Sequence, residues 1–142
     1  MNAPAEEING VLAHEIAHMW FGDLVTMKWW NGIWLNEAFA TFMATKAVDK
    51  FNPEWERWVE FGIEKSAAFD VDSLKSTRPI EFDVISPDDA TAMFDLLTYE
   101  KGGAVLRMLE QYVGEEQFRD CLLYTSDAAD DTPCVDLGGR RI

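Results

Sequence analysis

The sequence predicts a mainly α-helical fold. Apolar side chains recur three and four residues apart in several stretches of the 142-residue chain, the spacing that places them on one face of a helix. Between these stretches lie glycine, proline and asparagine residues of the kind that begin and end helices. The sequence has no internal repeat, no glycine-rich phosphate loop and no apolar run as long as a membrane span.

The first two helices are predicted from the residues at their ends. A helix over residues 8–21 would stop at Gly22, because glycine is a common C-terminal cap. Residues 31–32 (Asn-Gly) indicate a turn. A second helix follows this turn, with apolar residues at helical spacing from Phe39 to Met43.

The remaining elements follow the same reasoning. Residues 52–54 (Asn-Pro-Glu) offer a capping side chain and a proline at the first helical position, so a third helix is predicted to begin there. Aspartates and a proline interrupt the pattern over residues 70–87, which indicates a crossing loop. A helix is predicted to begin at Ser86 and continue through Leu97, and the apolar pattern then runs on to a stop at Gly114.

A short motif indicates a metal site on the first helix. His14, Glu15 and His18 form a His-Glu-x-x-His run, and these are the only two histidines in the chain. Residues four apart lie one above the other on a helix, so both imidazoles converge on one point. In metallopeptidases such a pair binds zinc and the adjacent glutamate acts as general base. The alternative is a helix with two half-buried histidines, which the rarity of the pattern disfavours.

A catalytic zinc site needs a third protein ligand and one open position for water. Glu37 follows His18 after eighteen intervening residues and lies on the second predicted helix. We therefore predict that Glu37 shares the metal with His14 and His18. A solvent-exposed glutamate is the alternative, and the apolar neighbours Trp34 and Phe39 make it less favourable. Two imidazoles with one carboxylate make zinc the leading choice of metal.

The chain resembles the aminopeptidase N family of gluzincin zinc metallopeptidases, which have a thermolysin-like catalytic domain. The resemblance rests on the His-Glu-x-x-His run and on its spacing to Glu37. It also rests on residues 19–30 (Met-Trp-Phe-Gly-Asp-Leu-Val-Thr-Met-Lys-Trp-Trp) and on the downstream Tyr-x-Lys-Gly segment that begins at Tyr99. It covers about residues 1–120, which would be the helical part of that domain, truncated at both ends.

The resemblance implies a zinc-dependent aminopeptidase that removes amino-terminal residues from peptides. One zinc ion would be held by His14, His18 and Glu37, and Glu15 would be the general base. Tyr99 would hydrogen-bond the oxyanion of the tetrahedral intermediate. These roles come from the resemblance, since a tyrosine at an arbitrary position is more often a packing residue. Thr41, one turn beyond the glutamate ligand, is a further hypothesis for a residue that orients an imidazole.

Other activities stay open at this point. Members of the family are several times longer than this chain, and they bind the free amino end of the substrate through a Gly-Ala-Met-Glu-Asn segment that this sequence does not contain. We therefore expect an internal piece of a catalytic domain. One alternative is a polypeptide that binds zinc without peptidase activity. Another is a zinc hydrolase of the same scaffold with endopeptidase or epoxide-opening activity.

Charge and cysteine content restrict the partners. The chain carries 26 acidic and 12 basic residues, of which four and two lie after residue 120, so the formal charge of −14 becomes −12 without that tail. This balance disfavours nucleic acid as a partner. The two cysteines, Cys121 and Cys134, both lie in the tail. The preceding part therefore has no disulfide framework, which fits a cytoplasmic protein.

Residues 121–142 differ from the rest of the chain. The helical pattern and the family resemblance both end at Asp120, and the codons that residues 121–130 permit resemble a transposase adapter used in short-read library preparation. Residues 135–142 similarly permit codons that resemble the companion primer. We therefore predict a partial zinc metallopeptidase domain over residues 1–120. The prediction for residues 121–142 is a disordered, non-native tail translated from adapter sequence.

Overall fold

The part of the chain that the structure describes is built of helices joined by turns and loops. The computed structural model describes the backbone of residues 5–135 and the side chains of residues 5–125. Within these residues there is no strand, and no helix is long and apolar enough to cross a membrane. In chain order the elements are α1 (Ala5–His18), a 3₁₀ turn (Trp30–Gly32), α2 (Ile33–Phe51), a second 3₁₀ turn (Pro53–Trp55), α3 (Arg57–Asp72), α4 (Pro87–Ala92), a π-helical turn (Leu97–Lys101), α5 (Gly102–Val113) and α6 (Glu115–Val135). The predicted mainly α class is confirmed.

The chain divides into two compact units. The first ends at Arg107 and the second begins at Met108. All of the predicted site residues belong to the first unit, which contains α1 to α4 and the π-helical turn, called the π-turn below.

The end of α1 differs slightly from the prediction. The helix ends at His18, and a compact turn follows in which the Asp23 amide donates to the His18 carbonyl at 3.1 Å and the Val25 amide donates to the Trp20 carbonyl at 2.8 Å. Gly22 lies in this turn with a φ of +135°, a conformation that residues with a Cβ rarely adopt. The glycine therefore permits the turn, but the helix has already ended four residues earlier, at His18.

The helix α2 is the centre of the first unit because it packs against α1, α3 and the π-turn. Three of its buried residues are the alanines Ala38, Ala40 and Ala44, whose small side chains allow neighbouring elements to approach closely. On the same helix Phe42 is 1% exposed, and its ring centroid lies 6.0 Å from that of Trp58 on α3. This packing fixes the elements that carry the site residues around one helix.

The third helix begins later than predicted. Asn52 caps the segment as expected, since its side chain accepts a hydrogen bond from the Glu54 amide. The capped segment is a short 3₁₀ turn, however, because Glu56 adopts a left-handed conformation with a φ of +47° and interrupts it. α3 starts only at Arg57.

The predicted crossing loop is present as residues 73–86, which contain no helix. Ser86 then caps α4 as predicted. Its hydroxyl accepts from the Asp89 amide at 3.2 Å, and the Asp89 carboxylate accepts from the Ser86 amide at 2.8 Å. This reciprocal pair is a capping box.

The continuous helix predicted from Ser86 through Leu97 is wrong, since α4 ends at Ala92. The chain re-enters helical geometry in the π-turn, in which Tyr99 is the middle residue. A π-turn accommodates one extra residue and is frequent at functional sites. It shifts the register of the side chains before α5 begins.

The helix α6 continues across Asp120 to Val135, whereas the sequence predicts disorder from residue 121. Residues 136–142 lie outside the described residues. Cys121 is a free, exposed thiol, and the side chain of Cys134 is outside the described part. The origin of the tail in adapter sequence stays a prediction.

Candidate active site

The helix α1 places the two histidines as the motif requires. The Nε2 atoms of His14 and His18 lie 3.0 Å apart, and the two rings meet edge to face with centroids 4.7 Å apart. The side chains are 19% and 24% exposed, so they are half-buried and reachable from one side. Both imidazoles therefore present a nitrogen to the same point beside the helix.

The first turns of α2 bring Glu37 to that point. Its Oε2 lies 3.2 Å from His14 Nε2 and 3.3 Å from His18 Nε2. Ligand atoms about 2.0–2.1 Å from a tetrahedral zinc ion lie roughly 3.3 Å from one another. The three atoms thus form a triangle of the size that a tetrahedral zinc site requires, and its open side leaves room for a fourth ligand.

A hydrogen bond to the main chain fixes the His18 ring. Its Nδ1 lies 2.9 Å from the carbonyl oxygen of Phe21 and donates to it, since the carbonyl can only accept. With Nδ1 committed to this carbonyl, Nε2 is the nitrogen of His18 that is left to bind a metal ion at the shared point. The donor set therefore fits a metal ion.

The Phe21 carbonyl is one contributor that sequence reasoning missed. A ligand histidine commonly donates its second nitrogen to a carbonyl or carboxylate, which orients the ring. The sequence suggested the Thr41 side chain for such a role, whereas the orienting group of His18 belongs to the main chain of the turn after α1. Thr41 lines the adjoining cleft.

The electrostatics keep the Glu37 carboxylate ionised. Burial would raise its pKa, but the hydrogen bond to His14 and the charges of His18 and His14 outweigh burial and hold the pKa below its usual value. Tyr99 adds a further hydrogen bond that acts in the same direction. An ionised carboxylate is the form that binds a metal.

Tyr99 lies at the same centre. Its hydroxyl donates a hydrogen bond to Glu37, and its ring centroid is 6.0 Å from that of His14. Burial and then the negative charge of Glu37 raise the pKa of the Tyr99 hydroxyl well above its ordinary value. The tyrosine therefore stays protonated and remains a hydrogen-bond donor at physiological pH.

Glu15 lies on the open side of the centre. Its side chain is exposed and lines a cleft of about 600 Å³ together with His14 and Tyr99. Its charge contributes to the raised pKa of Tyr99, as expected for two groups that face the same space. The carboxylate can therefore reach a molecule that enters the cleft beside the three candidate ligands.

The rest of the cleft is strongly acidic. Besides Glu15 and the single cation Arg57, its charged lining residues are Glu6, Glu7, Glu60, Glu64 and Glu100. Burial raises the pKa of Glu100 to about 7, with smaller contributions from Glu64 and Asp95. Its Oε2 atom is buried without a hydrogen-bond partner. Sequence reasoning missed this residue, because its burial depends on how the π-turn packs.

Comparisons with known proteins point to one family. The model of the peptidase family M1 domain matches residues 2–130. The chain is 57% identical over 109 residues to Tricorn protease-interacting factor F2 of Thermoplasma volcanium, an alignment that covers 76% of this chain and 14% of that protein. It is 52% identical over 110 residues to Leucyl aminopeptidase of Saccharolobus solfataricus, covering 77% and 14%. It is also 47% identical over 120 residues to Aminopeptidase M1-A of Oryza sativa, covering 84% and 14%.

The chain thus spans about 14% of the length of the curated relatives that it matches. The resemblance to the aminopeptidase N family is confirmed by the family model and by relatives that are named aminopeptidases. The chain belongs to peptidase family M1.

Proposed function

We propose that this chain is part of the catalytic domain of a zinc-dependent aminopeptidase that removes amino-terminal residues from peptides. The observation that carries the proposal is the convergence of His14, His18 and Glu37, whose ligand atoms all lie within 4.8 Å of one another. These three residues would hold one zinc ion. When bound, zinc supplies a positive charge and a water molecule whose pKa falls to about 7.

Glu15 would carry out the proton transfers, and Tyr99 would help to stabilise the developing negative charge. Glu15 would take a proton from the attacking water and deliver it to the departing amine, because it is exposed and lines the cleft. Tyr99 would donate its hydroxyl proton in a hydrogen bond to the oxygen that becomes negative. Its raised pKa supports this role, since a donor must stay protonated.

The proposed preference for a free amino end rests on the names of the relatives, two of which are called aminopeptidases. The acidic cleft is compatible with a protonated amine, although its carboxylates also suit a solvated surface. A cytoplasmic location is part of the same proposal and rests on the absence of cysteine before residue 121.

The test compares two isosteric substitutions in the full-length parent protein. Glu15→Gln removes the general base but none of the metal ligands, and Glu54→Gln changes an exposed glutamate outside the cleft. We expect Glu15→Gln to lower kcat by about 100-fold or more with one zinc per chain retained. Glu54→Gln should leave both unchanged.

The substrate pair separates the alternative activities. Each protein is assayed on a peptide with a free amino end and on the same peptide acetylated there. Cleavage of the free peptide alone supports an aminopeptidase, and equal cleavage of both indicates an endopeptidase. Zinc binding with no hydrolysis of either peptide by the unsubstituted protein would show that the proposal is wrong.

A further inference from the structure

The π-turn that carries Tyr99 is held at its start by a residue of the crossing loop. Arg78 donates from Nη2 to Asp95 Oδ1 at 2.6 Å and from Nε to Asp95 Oδ2 at 3.1 Å. Two parallel hydrogen bonds between a guanidinium and a carboxylate fix orientation as well as charge. Asp95 Oδ1 also accepts from the amides of Leu97 and Thr98, at 2.9 and 3.1 Å. The carboxylate therefore ties the loop to the first residues of the π-turn.

The same cluster extends to the residue beside Tyr99. Arg78 Nη2 donates to the hydroxyl of Thr98 at 3.0 Å, and Thr98 is fully buried at 0% exposed. The amide of Tyr99 itself donates to the main-chain carbonyl of Asp95 at 3.2 Å. Each of the three residues from Leu97 to Tyr99 is thus bonded to Arg78 or to Asp95.

Arg78 is itself held firmly in place. Its Nη1 donates to the carbonyls of Pro79 and Ile80 at 2.9 and 3.2 Å, and its Nη2 donates to the carbonyl of Met93 at 3.3 Å. The guanidinium also lies over the ring of Phe82, 5.2 Å from the centroid. The side chain is only 19% exposed. A half-buried arginine with this many partners holds a fixed orientation and can orient the groups that it contacts.

The far end of the π-turn has its own anchor. Lys101 Nζ lies 2.7 Å from a carboxylate oxygen of Asp72, at the end of α3. Tyr99 therefore lies between two ion pairs, one at each end of a turn whose hydrogen bonds are not those of a regular α-helix. Because π geometry is intrinsically unfavourable and short, its side-chain directions depend on such external contacts.

We infer that Arg78 and Asp95 are positioning residues that direct the hydroxyl of Tyr99 toward Glu37. Neither residue touches the candidate metal ligands. The consequence for catalysis rests on the proposed function, whereas the consequence for the direction of the tyrosine does not. The two can therefore be measured separately.

The first measurement reads the tyrosine directly. 3-Fluorotyrosine is placed at position 99 of the full-length parent, prepared without metal, and its ¹⁹F resonance is compared in Arg78→Gln and in the control Arg119→Gln. Arg119 is exposed and pairs with its chain neighbour Asp120, in the second unit. We expect Arg78→Gln to move the resonance toward that of a solvent-exposed tyrosine and the control to leave it unchanged. An unchanged resonance in folded Arg78→Gln would overturn the inference.

A second variant covers the case in which Arg78→Gln does not fold. Asp95→Asn keeps an oxygen that can accept from the amides of Leu97 and Thr98, and it removes the charge that pairs with Arg78. The same displacement of the ¹⁹F resonance is expected. A resonance identical to that of the unsubstituted protein would again contradict the inference.

The second measurement is a double-mutant comparison of activity. Arg78→Gln should lower kcat by about 10- to 100-fold with KM changed less than twofold. A displacement of the Tyr99 hydroxyl by about 1 Å weakens a hydrogen bond that is made only in the transition state. In a Tyr99→Phe background the same substitution should cause no further loss, because the hydroxyl that it positions is gone. If Arg78→Gln instead lowers kcat by the same factor in both backgrounds, Arg78 has a general structural role and the inference is overturned. Equal activity of Glu15→Gln and the unsubstituted protein would instead refute the proposed function, while the ¹⁹F result still decides the positioning.

Discussion

Gly102, the first residue of α5 directly after the π-turn, packs closely against α2, and its substitution tests how tightly the site is built. A Cβ at position 102 would lie 2.6 Å from the Cβ of Ala38, which is the residue after Glu37 and is 0% exposed. It would also lie 3.5 Å from Ile80 Cδ1 and 3.6 Å from Trp34 Cε3. The glycine therefore allows the segment that carries Tyr99 to contact the helix that carries Glu37.

The magnitude follows from these distances. Two carbon atoms in ordinary contact are about 3.5–4.0 Å apart, so Gly102→Ala requires the π-turn and α2 to separate by about 1 Å. The neighbour that must move is a Cβ on a buried helix, and it has no flexible side chain to yield. Inserting a methyl group into such a contact costs about 1–3 kcal/mol. The backbone gives no further penalty, since Gly102 has a φ of −59° and a ψ of −49°.

The assay is steady-state kinetics of the full-length parent together with its zinc content. We expect Gly102→Ala to retain zinc and to lose about 10- to 100-fold in kcat, because a displacement of about 1 Å at a catalytic donor has effects of that size. Gly62→Ala is the matched control, because a Cβ there meets nothing within 4 Å. It should leave kcat unchanged.

A compensating substitution makes the test sharper. Ala38→Gly removes the methyl group that Gly102→Ala would meet, so the double variant should recover most of the lost kcat. Full activity of Gly102→Ala, or a further loss on adding Ala38→Gly, would show that the contact between positions 102 and 38 does not control activity.

Three further predictions concern capping, ionisation and the metal. Ser86→Ala removes the cap of α4 and should accelerate amide hydrogen exchange over residues 87–92 by about fivefold, as measured by mass spectrometry, whereas exchange in α3 should not change. Glu100 has a pKa of about 7 in the folded protein against 4.5 ordinarily, so the folded state holds its proton more tightly and loses stability as pH rises from 4.5 through 7. At pH 8 the free energy of unfolding of Glu100→Gln should therefore exceed that of the unsubstituted protein by about 1–2 kcal/mol, after allowance for solvent screening. In urea titrations this difference should fade toward pH 4.5. A difference that stays constant with pH would contradict the raised pKa of Glu100. Glu37→Gln should weaken zinc binding at least 100-fold in a chelator competition, and retention of full affinity would exclude this carboxylate as a ligand.

The candidate metal centre was predictable because its geometry is mostly local. Residues four apart on a helix converge whatever surrounds them, so His14 and His18 follow from sequence spacing alone. Glu37 required a second helix packed against the first, and the spacing with the family resemblance supplied that expectation. The caps at Asn52 and Ser86 were predictable for the same reason, since a cap depends on a few adjacent residues.

Other parts of the site depend on contacts that spacing does not reveal. The π-turn is irregular, and its apolar residues read as a continuation of α4. The pair of Arg78 with Asp95 joins residues seventeen apart across a loop without periodicity. The burial of Glu100 depends on tertiary packing, and the carbonyl of Phe21 belongs to the main chain. A pattern of side chains in the sequence indicates neither. Of these features, the carbonyl of Phe21 orients His18 and the pair of Arg78 with Asp95 bears on the position that we infer for Tyr99.

The most direct measurement of the metal centre is an anomalous difference map, calculated from crystals of the full-length parent at the zinc absorption edge. We expect a single strong peak in this domain, about 2.0–2.2 Å from His14 Nε2, His18 Nε2 and a carboxylate oxygen of Glu37. Crystals of the Glu37→Gln variant should lose most of that peak. A fully occupied peak elsewhere in the domain, or none at these three residues in zinc-soaked crystals, would exclude them as the zinc ligands.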